Sequence, residues 1–224
     1  MKPERIISIV LAIVFWVPVI FFSLLLAHNA MLYFTHGGEY GILPEKIVAR
    51  KDLFWNIAFY VHLPTGVICL LTPIYLFSRR FFKKGLSLHR SLGQLYVWIT
   101  LIFVCPTGMY LALYAKGGLI TQVGFMLQGL LLASFTYQGY QAIQNGNKIN
   151  HVQYMIRSYA TATVVLSFRI FHILFFLWKV PYQDNYVISQ WLGLSGNLLM
   201  AEVIIFFMNY KISHKLKTQQ YEII

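Results

Sequence analysis

Seven ionisable side chains of this 224-residue chain fall inside long apolar runs: His62, His89, His151, Arg157, Arg169, His172 and Glu202. Gln128 and Asn197 join them as amides in such runs. Groups of this kind are costly in an apolar medium, so they face a bundle interior or a water-filled cavity, where they bind, conduct or pair. Neutral imidazole nitrogens ligate haem iron from opposing helices, and arginines nearby can pair with carboxylates such as propionates. Spacing then sorts the residues. At ~100° and ~1.5 Å per residue, an unbroken helix puts His151 and Arg169, eighteen residues apart, on one face. Met155, Ser158, Ala162 and Val165 line the stripe between them, and His172 continues it. His89 heads a stripe with Gly93, Tyr96 and Thr100, and His62 heads another with Gly66, Cys69 and Pro73. Glycine one turn from a histidine leaves a gap for the edge of a flat macrocycle, and it equally permits a tight helix crossing.

The elements that must position these residues follow from composition. Hydrophobic residues make up 58% and charged residues 11%, less than half of the roughly 25% charged residues usual in soluble domains. Mean hydropathy is +0.62 and the mass 26.0 kDa; one soluble core of that size could not hide so much apolar surface. A disordered chain, a secreted disulfide scaffold and a coiled coil are excluded on the same ground. Cys69 and Cys105 lie within apolar runs and read as small packing residues. The net charge of +11 lies between apolar runs and toward the span ends, so it marks a membrane face and no nucleic-acid site.

A hydrocarbon core of ~30 Å needs about 20 helical residues to cross. Six runs qualify: Ile6–His28, Leu53–Ser78, Ser91–Ala115, Leu119–Gln144, His151–Trp178 and Tyr186–Tyr210. The reading is an all-α polytopic bundle forming one membrane domain over 1–224, with core helices over 53–178 flanked by helices over 6–28 and 186–210. The first run exceeds the ~7–15 residues of a signal-peptide core and is expected to remain as an anchor. Of the 18 Lys and Arg, Lys46, Arg50, Lys51, Lys116 and Lys179 fall on one side, Arg169 lies within a span, and the other twelve share the opposite side. That bias makes both termini cytoplasmic. Gly117-Gly118 and Asn145-Gly146-Asn147 are turns that make consecutive spans antiparallel neighbours. Pro106 with Gly108 should kink the third span, and the stretch from Pro44 to Arg50 suggests a short amphipathic helix on the outer surface. No internal repeat and no pair of broken helices is legible.

Depth separates two groups. His62, Arg169 and Gln128 lie nine or ten residues, ~14 Å, from the outer ends of their spans. His172 is one turn nearer the outside. His89 and His151 sit near the cytoplasmic face, with Arg157 and Glu202 somewhat deeper; those last two, at similar depth, are expected to form a structural ion pair. A soft-metal site would recruit cysteines, which have no place among the histidines. Hydrolysis would need a nucleophile beside a base. No phosphate-binding loop, dinucleotide fingerprint or HExxH motif is present.

Taken together, His89-Arg90-x-Leu92-Gly93-x-x-Tyr96, His151-x-x-x-Met155-x-Arg157-Ser158-Tyr159-Ala160, Arg169 and Asn197-Leu198-x-x-Ala201-Glu202 resemble a bacterial family of multi-spanning membrane proteins without an assigned function. His62-x-x-x-Gly66 followed by Pro73 fits its preceding helix, so the resemblance runs from Leu53 to about Phe207. It implies a bacterial cytoplasmic (inner) membrane location. A looser similarity is to transmembrane di-haem b cytochromes and ferric reductases, whose histidines lie near both faces of a four-helix core. It implies haem b, one or two, on His89 and His151 and on an outer site of His62 with His172, Arg169 facing a propionate. The fourth span lacks a histidine, which departs from that pattern.

The expected function is therefore a haem b-binding electron-transfer protein, possible component of a membrane oxidoreductase, with a quinol or small soluble donor. Two other classes stay open. One is a proton or small-solute transporter or channel built on the intramembrane His/Arg/Glu residues. The other is a non-catalytic accessory or assembly subunit docked on a membrane protein partner.

Overall fold

The computed structural model describes residues 3–77 and 86–221, and side chains for 13, 16–77 and 86–214 within them. Lys2, Arg79, Arg80, Lys83 and Lys84, which carry part of the charge bias, and Ser78, the expected end of the second span, lie outside the described residues. Those described form helices and turns with no strand among them. The helices are α1 (Pro3–His36), α2 (Leu53–Leu76), α3 (Leu86–Ile99), α4 (Cys105–Ala112), α5 (Gly118–Gln144), α6 (Lys148–Ala162), α7 (Val164–Leu177) and α8 (Tyr182–Tyr221). Six helical stretches are long and apolar enough to cross a membrane: Trp16–Glu39, Leu53–Leu76, Leu86–Ala112, Gly118–Gln144, Lys148–Leu177 and Tyr182–His214. The turns between them form where glycine permits left-handed backbone, with φ of 89° at Gly117 and 74° at Gly146.

Two of the six spans are interrupted near their middles, contrary to the expectation of no broken pair. In the third span, α3 passes into a π-helical turn at Thr100–Val104 before α4. Pro106 has no N–H to offer the Ile102 carbonyl, and the chain widens by one residue so that Cys105 N–H reaches the Thr100 carbonyl. The predicted kink is thus a wide turn. In the fifth span, α6 ends and α7 begins around Thr163, where φ is −76° and ψ −2°. Four of the five residues Thr161, Ala162, Thr163, Val164 and Val165 are β-branched, which weakens the ladder locally. Carbonyls freed there find partners from other helices. Asn197 donates to Ala160 O at 3.0 Å, and Gln128 donates to Thr161 O at 3.2 Å. Ser167 in turn donates to Asn197 Oδ1 at 2.8 Å. Non-helical backbone at this depth survives only when buried in protein and satisfied in this way.

The segment between α1 and α2 corrects a second expectation. It forms three short 3₁₀ turns, Gly37–Glu39, Leu43–Lys46 and Ala49–Lys51, and no continuous amphipathic helix. Leu43 is 1% exposed, packed with Ala49, Trp55 and Phe59. Lys46 donates to the Tyr114 carbonyl and Lys116 pairs with Glu45. Asp52 caps α2 by accepting from Phe54 N at 2.9 Å and also accepts from Tyr110 at 2.5 Å. The segment is a folded cap over one end of the bundle, called the capped end below.

Candidate functional site

A cavity of about 220 Å³ lies in the half of the bundle nearer the capped end. Both interruptions border it: Val104 and Cys105 at the end of the π turn, and Ala162 at the end of α6. Its polar side chains are His62 of α2, Gln128 of α5 and Arg169 of α7, set among Leu26, Ala30, Leu63, Phe125 and Val165. The three residues grouped by depth are therefore brought together in space.

Each is held by a different local device. The His62 ring lies so close to α4 that a Cβ on Gly108 would meet its Cε1 at 2.9 Å. Its Nδ1 is 3.0 Å from Thr107 Oγ1, and Thr107 already gives its proton to the Phe103 carbonyl. Nδ1–H is then the donor and Nε2 keeps its lone pair. Gln128 bridges the α6–α7 break to α8, its Oε1 accepting from Gln190 at 3.0 Å. Arg169 is the least satisfied. Among the described residues no carboxylate faces it, and its only hydrogen bond reaches Val165 O at 3.5 Å. The Tyr33 and Tyr186 hydroxyls lie within its electrostatic reach.

Gly66 decides between the two readings of a glycine one turn from His62. A Cβ there would meet nothing within 4 Å, so the position faces open space and is no helix crossing. Cys69 and Cys105 are each 2% exposed and line the same cavity. Their packing role stands; helical spacing puts Cys69 on the face of His62, and both cysteines share the wall with that histidine, contrary to the expectation that they have no place among the histidines.

The remaining candidates fall elsewhere. His172 is not on the cavity wall. Its Nδ1 is 2.9 Å from Asn185 Oδ1, and its ring stacks on Phe168 at 5.6 Å and meets Tyr186 edge-on at 4.6 Å. His62 and His172 are thus not brought into one site. His151 also lies off the wall: Ala162, Val165 and Arg169 line it from both sides of the Thr163 break, but His151 is five turns, ~27 Å, from Arg169 along the span. Instead it sits toward the opposite end with His89, within mutual electrostatic reach. His151 Nδ1 is 2.8 Å from the Gly139 carbonyl, a bond that leaves Nε2 as the free lone pair. Arg157 and Glu202 form a two-pronged ion pair, Nε to Oε1 at 2.6 Å and Nη2 to Oε2 at 2.9 Å. Between the two groups runs a fully buried chain of hydroxyls. Tyr96 and Thr136 both meet Ser158 Oγ at 2.7 Å.

Fold and site together define a six-span helical membrane protein with a polar-lipped cavity inside the bundle. The chain belongs to the family described as predicted membrane protein (DUF2306), whose model matches residues 59–205. That stretch holds every polar residue of the cavity and both members of the histidine pair. No curated protein and no solved structure matches the chain.

Proposed function

We propose that this is a haem b-binding electron-transfer protein of a bacterial inner membrane, with His89 and His151 as the axial ligands of one haem. The observation that carries the reading is that these two histidines, on α3 and α6, lie within electrostatic reach of each other, with the Nδ1 of His151 held by the Gly139 carbonyl. A ligating histidine characteristically donates its other nitrogen's proton to such an acceptor. Gly93 lies one turn from His89, and a Cβ there would meet nothing within 4 Å, leaving open space beside the pair. Haem asks the protein for only two ligands, which suits a chain whose described residues bring no three His, Cys, Asp or Glu together as a metal site. The outer haem is not part of this proposal, since His172 is engaged with Asn185 and its aromatic neighbours. A bound haem supplies a one-electron couple, with a quinol or small soluble donor as its reductant.

An oxidised-minus-reduced absorbance spectrum of the full chain in mild detergent tests this. A b-type α band that disappears in His89→Ala and His151→Ala and persists in His172→Ala is the expected result. Protein that stays colourless after haemin is added overturns it.

A second reading has its own support. Interrupted helices meeting at a cavity near mid-membrane are a pattern of secondary transporters, and both the Thr100–Val104 turn and the Thr163 break border this cavity. Colourless protein that carries pH-dependent flux in liposomes would favour it.

A further inference from the structure

We infer that the cavity of His62, Gln128 and Arg169 binds a small organic carboxylate, with the carboxylate on Arg169 and the carbon tail along the apolar wall. The first ground is charge. A guanidinium inside a span is costly unless it pairs with an acid, with backbone carbonyls or with a group in a cavity, and the other guanidinium of the same span has an acid: Arg157 has Glu202. Arg169 has none among the described residues, only a 3.5 Å bond to Val165 O. A planar carboxylate accepts the paired N–H groups of a guanidinium better than any neutral ligand does.

Shape and size give the second ground. The open position at Gly66 and the aliphatic wall at Val67, Leu70 and Val165 suit a hydrocarbon body more than a hydrated inorganic ion. A volume of about 220 Å³ is somewhat larger than the ~150 Å³ of a cavity that encloses a benzene. That limits the enclosed part to a carboxylate and a handful of carbons. Such a ligand is either a short-chain acid or the head of a longer fatty acid whose tail leaves the cavity. Gln128 and His62 already use hydrogen bonds to Thr161 and Thr107, so they shape the walls and Arg169 does the recognition. The inference stands apart from the haem reading, because neither His89 nor His151 lines this cavity.

Equilibrium dialysis of radiolabelled butyrate against the full chain in neutral detergent tests it. Saturable uptake approaching one per chain is expected, weakened at least tenfold in Arg169→Gln. Gly66→Leu fills the void while keeping the charge, and should weaken uptake as much. Circular dichroism checks that both variants remain folded. Displacement of butyrate by palmitate assigns the carboxylate to a fatty acid, and failure to displace assigns it to a short-chain acid; either supports the site. Three results overturn it: no uptake, uptake unchanged in both variants, or complete displacement by chloride at equal concentration.

Discussion

Arg157 and Arg169 belong to one span, twelve residues apart, on opposite sides of the break at Thr163. Arg157 is held by both oxygens of Glu202, at 2.6 and 2.9 Å. Arg169 faces a cavity with no carboxylate partner among the described residues. Their surroundings differ in the same sense. Near Arg157, hydroxyls of Tyr96, Thr136 and Ser158 satisfy one another, and a Cβ on Gly139 would strike Met155 Sδ at 2.7 Å. Near Arg169, Gly66 looks into empty space. Around Arg157 the packing is closed and self-satisfied, and around Arg169 it is left open with a charge. A charged residue within a span is therefore a weak sign of function until its partner is known; a missing partner is the stronger sign.

That contrast can be broken by removing the partner where one exists. Arg157→Ala should cost about 2–3 kcal/mol, less than the ~3–5 of a fully buried pair because Glu202 is half exposed. Denaturant unfolding in detergent measures it, and adding Glu202→Ala should recover part of the loss. The glycines offer the next test. Gly139→Leu should destabilise by roughly 1–3 kcal/mol through overpacking, whereas Gly66→Leu should leave the melting temperature nearly unchanged. Equal losses at both positions would show the surroundings of Gly66 to be as closed as those of Gly139.

Asn197 holds the interrupted fifth span. Asn197→Ala strips a donor from Ala160 O and an acceptor from Ser167, for an expected loss of about 1–2 kcal/mol. Hydrogen exchange at residues 160–167 should quicken at the same time. Arg169→Gln should move stability the opposite way from Arg157→Ala, a gain of up to about 1 kcal/mol without ligand, since it deletes an uncompensated charge. A clear loss on thermal melting would mean that the protein itself neutralises Arg169.

The smallest effect concerns the cap. The hydrogen bond from Tyr110, with those of Phe54 N and Tyr114, holds the Asp52 carboxyl below the usual carboxylate range. A depressed folded value means stabilisation present above the unfolded value of ~3.9 and lost as pH falls through the folded one. Asp52→Asn should flatten that acid-side decline in a melting series below about pH 4 and leave neutral-pH stability only slightly lower.

Much of this molecule was legible from residues alone, for local reasons. Hydropathy over about 20 residues marks a span whatever it packs against, and glycines at 117 and 146 mark turns because few other residues tolerate positive φ. The cost of a polar group in an apolar run likewise put His62, Gln128 and Arg169 at one depth before any contact was known. The breaks were harder to see. Pro106 announced a kink, but a missing N–H alone does not say whether the helix bends or widens into a π turn, and the β-branched run at Thr161–Val165 signals weakness without requiring a break. Across that interruption Ala162, Val165 and Arg169 still line one cavity, and His151 lies too far along the span to reach it.

Sequence by itself determined the number of spans, their joints and the short roster of costly side chains, because each follows from the transfer energy or backbone freedom of residues close together in the chain. Depth along the spans also paired Arg157 with Glu202, a pair that forms in the structure across 45 residues. Only the tertiary structure decided the other partners: Asn185 and the aromatic rings take His172, and among the described residues nothing comparable reaches Arg169. Partnership depends on which helix faces meet, and meeting faces are set by packing across the whole bundle.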